Sequence, residues 1–288
     1  MSLSYLQTSL DRIDAAARDD VIEICINPDG SCWGEFQGDH FMRQLDQTLT
    51  ATEVKDLGNQ IASSANTTMS KDRPFVSVSI TYKGRPIRAQ VITPPAVLSA
   101  MSISLRFFSS LPLDGIALDF LYGKERKLEE LRLEKTRELR EVVAAGLIDD
   151  ALAFCVDNKL NMIVSGGTST GKTVAARKIL SHVPAEERIA DVLLTATLRM
   201  RPDRIILGEV RGKEAMTFLE AINTGHGGSM TTLHAETPQL AVQRLAIAAL
   251  KTEIPMTYAD MIQYIENSID VIIQAGRHDG KRGITEFY

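Results

Sequence analysis

One stretch restricts the possible folds more than any other: LNMIVSGGTSTGKTVAARKILSHV, from Leu160 to Val183. A short apolar run enters a loop of glycines and small hydroxyl residues, and the loop opens directly into a helical pattern. That is the strand–loop–helix unit of an α/β sheet. The rest of the chain's second half repeats the alternation. RIILGEV reads as a buried strand, and KEAMTFLEAINTG as a helix ended by Gly225. SMTTLHA is a short strand. TPQLAVQRLAIAAL is a helix with Thr237 as N-cap and Pro238 in its first position. TYADMIQYIENSI starts on Thr257 with Asp260 three residues later, a capping-box variant. DVIIQAGRHDGKRGITEF is a closing hairpin that turns at Asp279-Gly280. Strands alternating with helices predict a largely parallel sheet over 146–288.

The first part of the chain follows other rules. VIEICINPDGSCWGEF carries two apolar stretches around Asp29-Gly30, and PFVSVSITYKGRPIRAQVITPP alternates on both sides of Lys83-Gly84; both read as hairpins. MSISLRFF adds a strand. FMRQLDQTLTATEVKDLGNQIASSA reads as one helix, with Leu45, Leu49, Val54, Leu57 and Ile61 as its apolar positions. These elements predict a smaller α+β domain over 1–110. A connection over 111–145 follows, loop-rich up to 126 and then a highly charged helix, KLEELRLEKTRELREVVAA, with a narrow apolar stripe.

With 288 residues the chain suits two domains, and its 44% hydrophobic and 24% charged residues are ordinary for a globular protein. The net charge of −5 excludes a global basic field that would draw it onto nucleic acid. The cysteines, Cys25, Cys32 and Cys155, are few, odd in number and without metal spacing, so a disulfide framework is not expected. The start, MSLSYLQTSLDRID, lacks the basic and apolar regions of a signal peptide. No apolar run nears the roughly 20 residues that span a bilayer. A reducing, cytoplasmic setting is expected.

The chemistry gathers on the glycine-rich loop. Gly166, Gly167, Thr168, Ser169, Thr170, Gly171, Lys172 and Thr173 match G-x-x-x-x-G-K-[ST], between an apolar strand and a helix. Glycines let successive backbone N–H groups curl toward one point, and the helix N-terminus ahead of Val174 adds its dipole, so the loop is built for phosphate. Lys172 supplies positive charge to the β- and γ-phosphates, and the Thr173 hydroxyl can coordinate Mg²⁺. Glu209, at the end of a buried strand, is the expected second metal partner, because open α/β sheets bind ligands at strand C-termini. Arg211 either orients Glu209, bridges to a neighbour or serves structure alone. GHGGSMTTLHA holds His226 and His234, which lie eight residues apart with no third ligand and so make no convincing zinc site. A histidine at a strand end facing phosphates can report the γ-phosphate, and His226 is taken as that residue.

GGTSTGKT, then TLRMRPDRIILGEVRG, then TGHGGSMTTLHAETP, in that order, resembles the secretion ATPase superfamily of type II and type IV secretion and type IV pili. LRMRPDRIILGEVRG, with RAQVITPPAV earlier, is most similar to the VirB-type traffic ATPases of type IV secretion. The resemblance is strong over the second domain, moderate over residues 70–108 and faint before residue 65. It implies a RecA-like P-loop ATPase domain behind a smaller α+β domain, ATP and Mg²⁺ as cofactors, and a homo-hexamer. It also implies a peripheral place at the inner membrane, beside other type IV secretion ATPases and inner-membrane components. GGTSTGKT then corresponds to the Walker A, RIILGE to the Walker B and TGHGGSMTTLHA to the His box. Arginines of the N-terminal domain approach the phosphates in this family; Arg88, in GRPIRAQVITPP, and Arg106, in SISLRF, are the matching positions.

The chain departs from the family pattern in one place. The strand that carries the family's likely water-activating glutamate has no visible counterpart between Pro184 and Asp191, where the next helix is expected to start near Ala190. Either a segment is missing from this sequence or the loss is a true deletion, which bears on hydrolysis. Glu186 and Glu187 are not assigned as catalytic. Four other readings stay open: a type II secretion or pilus motor, a nucleotide-binding assembly module without turnover, a GTPase switch and a DNA translocase. The GTPase reading has no N-K-x-D motif behind it, and the acidic balance disfavours the translocase.

Overall fold

The structure is a computed structural model and describes residues 2–39, 41–97, 100–108, 121–123, 127–190 and 201–288. The chain divides into two compact units. The first comprises Met1–Ala117 together with residues 186–188 and 194–202, and the second comprises the rest.

In the first unit six strands form one antiparallel sheet: β1 Val21–Ile26, β2 Ser31–Phe36, β3 Arg43–Thr48, β4 Phe75–Tyr82, β5 Arg85–Ile92 and β6 Ser102–Phe107, in the order β3-β2-β1-β6-β5-β4. Both expected hairpins form, with Gly30 and Gly84 at positive φ in their turns. Helix α1 (Ser2–Leu10) packs on α2 (Ala51–Ser64), and α2 lies on β4, β5 and β6. Strand periodicity sends Ile24, Ile26, Ile87, Ala89, Val91, Ile103 and Leu105 into the core under α2. The stretch from Phe41 read as one helix is in fact β3 followed by α2. Thr50 accepts from the Glu53 amide while the Glu53 carboxylate accepts from the Thr50 amide, so a full capping box starts the helix only after the strand is complete.

In the second unit the strands are β7 Met162–Gly166, β8 Ile189–Ala190, β9 Arg204–Leu207, β10 Met230–Leu233, β11 Val271–His278 and β12 Lys281–Phe287, in the order β12-β11-β7-β10-β9-β8. Every pairing is parallel except the closing β11–β12 hairpin. Helices α3 (Leu128–Ala144), α4 (Ile148–Asp157) and α5 (Lys172–Leu180) belong to one core, with Val164 and Ile273; α6 (Glu214–Asn223), α7 (Pro238–Leu250) and α8 (Tyr258–Ser268) belong to the other, with Ile163 and Ile272. Neighbouring strand residues thus enter opposite cores, which is why β7 and β11 read as unbroken apolar runs. The caps expected at Thr237 and Thr257 are present.

Two expectations change here. The charged helix α3 is part of this unit: Leu139 is buried with α4, and Arg132 pairs with Asp270 and donates to the Ile269 carbonyl beyond α8. Between α5 and β9 a strand does exist. Ile189 and Ala190 pair in parallel with Arg204 and Ile205, so the helix expected from Ala190 does not begin there. The remainder of that expected helix, and nearly all of the expected loop over 111–126, lie outside the described residues.

Candidate functional site

Parallel strands β7, β9 and β10 all end on the same edge of the sheet, and the residues that follow them meet there. The loop after β7 curls through positive φ at Ser169 and Gly171. A Cβ on Gly166 would lie 2.5 Å from the Ala275 carbonyl oxygen and from Thr170 Oγ1, so the close strand-to-loop packing requires glycine. Thr170 Oγ1 donates to the Gly167 carbonyl and tightens the turn. The N–H groups of Thr168, Ser169 and Thr170 have no internal acceptor among the described residues, at the N-terminus of α5. Amides without an internal acceptor at a helix start are what an anionic group requires.

Lys172 is buried at the first position of α5, and its Nζ donates to the carbonyls of Gly166 (2.9 Å) and Gly167 (2.7 Å). Burial pulls its pKa below the usual lysine value, and the charge of Glu209 opposes that shift. Thr173 and Val174, the next residues, are exposed.

Lys172 Nζ also lies 3.3 Å from His234 Nδ1, and His234 Nε2 lies 3.3 Å from Glu209 Oε1. Glu209 Oε2 accepts from Arg211 Nη2 at 2.6 Å. That hydrogen bond holds the Glu209 carboxyl below the ordinary carboxylate range, and His234 and Lys172 act in the same direction. The backbone around Glu209 is tied to β10: Val210 N donates to the Thr232 carbonyl, and Thr231 and Thr232 hydroxyls donate to the carbonyls of Leu207 and Gly208. Of the roles open to Arg211, orientation of Glu209 is the one seen in this geometry. An open cleft beside the pair is lined by Arg211, His234, Arg244 and Lys251.

His226 is not brought to this place. It precedes β10, whose Met230 pairs with Met162 at the start of β7 while Leu233 pairs with Ser165 at its end. His226 therefore sits at the edge opposite the loop, where Nδ1 meets the Ala221 carbonyl at the end of α6. His234 follows the C-terminal end of β10 and takes the position expected for His226. Both histidines lie in one glycine-rich stretch; the direction of the strand, legible from the apolar run between them, is the signal that separates them.

In the first unit, Arg88 and Arg106 are exposed, directly paired across β5 and β6, and on the sheet face away from α2. Arg106 pairs in turn with Glu23 on β1. Glu23 is buried and accepts from Ser104 Oγ at 2.6 Å, while Arg201 Nη2 donates to Glu35 Oε1 at 2.6 Å. Desolvation raises the Glu23 pKa, against the pull of Ser104, Arg201 and Arg106. No group of three or more metal-ligating side chains occurs among the described residues.

Residues 189–277 match the family described as T2SSE, Type II/IV secretion system protein. The chain is similar to the conjugal transfer protein TrbB of Rhizobium radiobacter, at 29% identity over 98% of this chain and 88% of the relative. It is also similar to the type IV secretion system protein PtlH homolog of Bordetella bronchiseptica, at 26% identity over 92% and 88%. These alignments, over 313 and 309 residues, are longer than this chain, so the relatives carry residues that it lacks. The fold is that of the VirB11 ATPase from the Brucella suis type IV secretion system, solved in complex with sulphate: TM-score 0.79, 23% identity, covering 100% of this chain and 95% of that one. The chain is thus similar in sequence to proteins of type IV secretion and conjugal transfer, and shares its fold with a solved member of that machinery.

Proposed function

We propose that this protein hydrolyses ATP with Mg²⁺ to power type IV secretion or conjugal transfer, through a RecA-like P-loop domain over 146–288. One observation carries the reading: Lys172, His234 and Glu209 form a continuous chain at the edge where the loop amides of Thr168–Thr170 have no internal acceptor among the described residues. The loop from Gly166 to Val174 holds the phosphates, and Lys172 moves from its loop carbonyls to the phosphate oxygens, exchanging one set of acceptors for another. Thr173 supplies a hydroxyl to the metal, and Glu209, kept ionised by Arg211, holds the metal or its waters. A site with one or two protein groups and no cage suits Mg²⁺, which keeps most of its shell as water and phosphate oxygen. When bound, Mg²⁺ neutralises charge on the phosphoryl oxygens. His234 joins the lysine to the carboxylate and so registers what occupies the space between them.

Arg88 and Arg106 are assigned to transition-state charge, supported by their adjacent, exposed places on one face of the first sheet. A homo-hexamer at the inner membrane, in contact with other secretion ATPases, extends the same reading. No helix among the described residues is long and apolar enough to cross a membrane.

Steady-state hydrolysis of MgATP by the full chain, compared with Lys172→Ala, tests the proposal. Turnover that depends on Lys172 is expected. Tight nucleotide binding with no Lys172-dependent turnover would replace the motor with a nucleotide-binding assembly module.

A further inference from the structure

The sheet order places Glu209 and His234 on one flank of the glycine-rich loop, through β9 and β10. The other flank belongs to β11 and β12, to which nothing has so far been assigned. Here Arg277 and Arg282 are directly opposed in the antiparallel ladder, and His278 opposes Lys281 one step further out. Like charges placed opposite each other destabilise a strand pair. Neither guanidinium has an ion pair or hydrogen bond among the described residues; His278 alone reaches the one acidic residue of the tip, Asp279, at 3.3 Å.

The register also sets where this pair points. Ile284 packs into the core on the α5 side, and Arg282, two residues before it on the strand, faces the same way. Its stem lies against the open side of Gly171 at the start of α5: a Cβ there would stand 3.7 Å from Arg282 Cβ and 4.0 Å from Cδ. The hairpin thus brings Arg282 beside the glycine-rich loop, with Arg277 opposite it on the neighbouring strand, on the side of the loop away from Glu209 and His234.

We propose that Arg277 and Arg282 bind the α-phosphate and ribose end of the nucleotide. The inference rests on the nucleotide reading of the loop. It assigns to the closing hairpin a contact that ATP and ADP share, so the contact strengthens binding of both without acting on the bond that breaks. Loss of such a uniform interaction appears in KM.

The test is calorimetric titration of the full chain with MgADP, MgATP and magnesium pyrophosphate. Wild type, Lys172→Ala, Arg277→Ala, Arg282→Ala and Arg282→Lys are compared, with the thermal midpoint of each variant measured first. Arg277→Ala and Arg282→Ala are expected to weaken both nucleotides about 10-fold, as loss of one charge-assisted contact does, and to leave pyrophosphate binding unchanged. Arg282→Lys should recover part of the loss, and any fall in kcat/KM should be carried by KM. Wild-type nucleotide affinity in both alanine variants, with affinity lost in Lys172→Ala, would overturn this inference and leave the loop reading standing. Equal weakening of pyrophosphate would overturn it too, because the contact would then lie at the β- and γ-phosphates. A wild-type chain that binds neither nucleotide would remove the loop reading and this inference together.

Discussion

Replacement of the two histidines of the glycine-rich stretch separates their roles. His226→Ala removes one contact, the 3.1 Å approach of Nδ1 to the Ala221 carbonyl. A single hydrogen bond of that kind contributes roughly 0.5–1.5 kcal/mol, and it lies at the sheet edge away from the loop. The expected outcome is a small drop in unfolding free energy and a turnover number within about twofold of wild type, a barrier change of less than about 0.5 kcal/mol. His234→Ala removes the one side chain among the described residues that touches both Lys172 and Glu209, at 3.3 Å each. Without it the ammonium and the carboxylate lose their common partner, at the place where the proposed function puts the reacting phosphate. Losing one preorganised polar group at such a position costs about 100-fold in kcat, near 2.7 kcal/mol. With its side chain 38% exposed, His234 contributes little to folding, so stability should hardly change. The assay is steady-state phosphate release with saturating MgATP, beside urea unfolding of each variant. A large fall in kcat for His226→Ala with none for His234→Ala would refute the strand-direction argument.

Three further outcomes follow from particular side chains. Gly228→Ala should lower unfolding free energy by about 3 kcal/mol or more, because the position combines φ +79° with a new Cβ 2.5 Å from Nη1 of the buried Arg204; a thermal midpoint equal to wild type would contradict this. Arg211→Ala should move the acid limb of the kcat/KM–pH profile upward. The depressed Glu209 pKa keeps the carboxylate ionised until pH falls through its folded value, and loss of the largest cause of that depression raises the value; an unmoved limb would mean that Glu209 does not govern it. Glu23→Gln should stabilise the fold at pH 8 and make little difference at pH 4. The Glu23 pKa is raised in the folded state, so charge on it weakens the fold increasingly as pH climbs from the ordinary value of 4.5 through the raised one. A gain equal at both pH values in urea unfolding would point to packing rather than charge.

Much of this protein is written locally. The loop from Gly166 to Thr173, both N-terminal hairpins, the Thr237 and Thr257 caps and the closing hairpin at Asp279-Gly280 depend on neighbours within a few residues, and the sequence states them outright. Short-range steric and hydrogen-bonding preferences suffice for such features. Other features depend on partners far along the chain. RQLDQT has no pattern that demands a strand, and becomes β3 because β2 offers it an edge. Ile189 and Ala190 are too few to signal a strand, and become one only beside Arg204 and Ile205. His234 meets Lys172 from 62 residues away, because parallel strands end together. The Arg277–Arg282 opposition exists only once the hairpin register is set, and it reaches Gly171 only because β11 pairs with β7. Residue types and local spacing determined that a glycine-rich loop joins an apolar strand to a helix; strand order and direction, which hydrophobic burial on both faces of the sheet selects, decided which charged side chains stand around it.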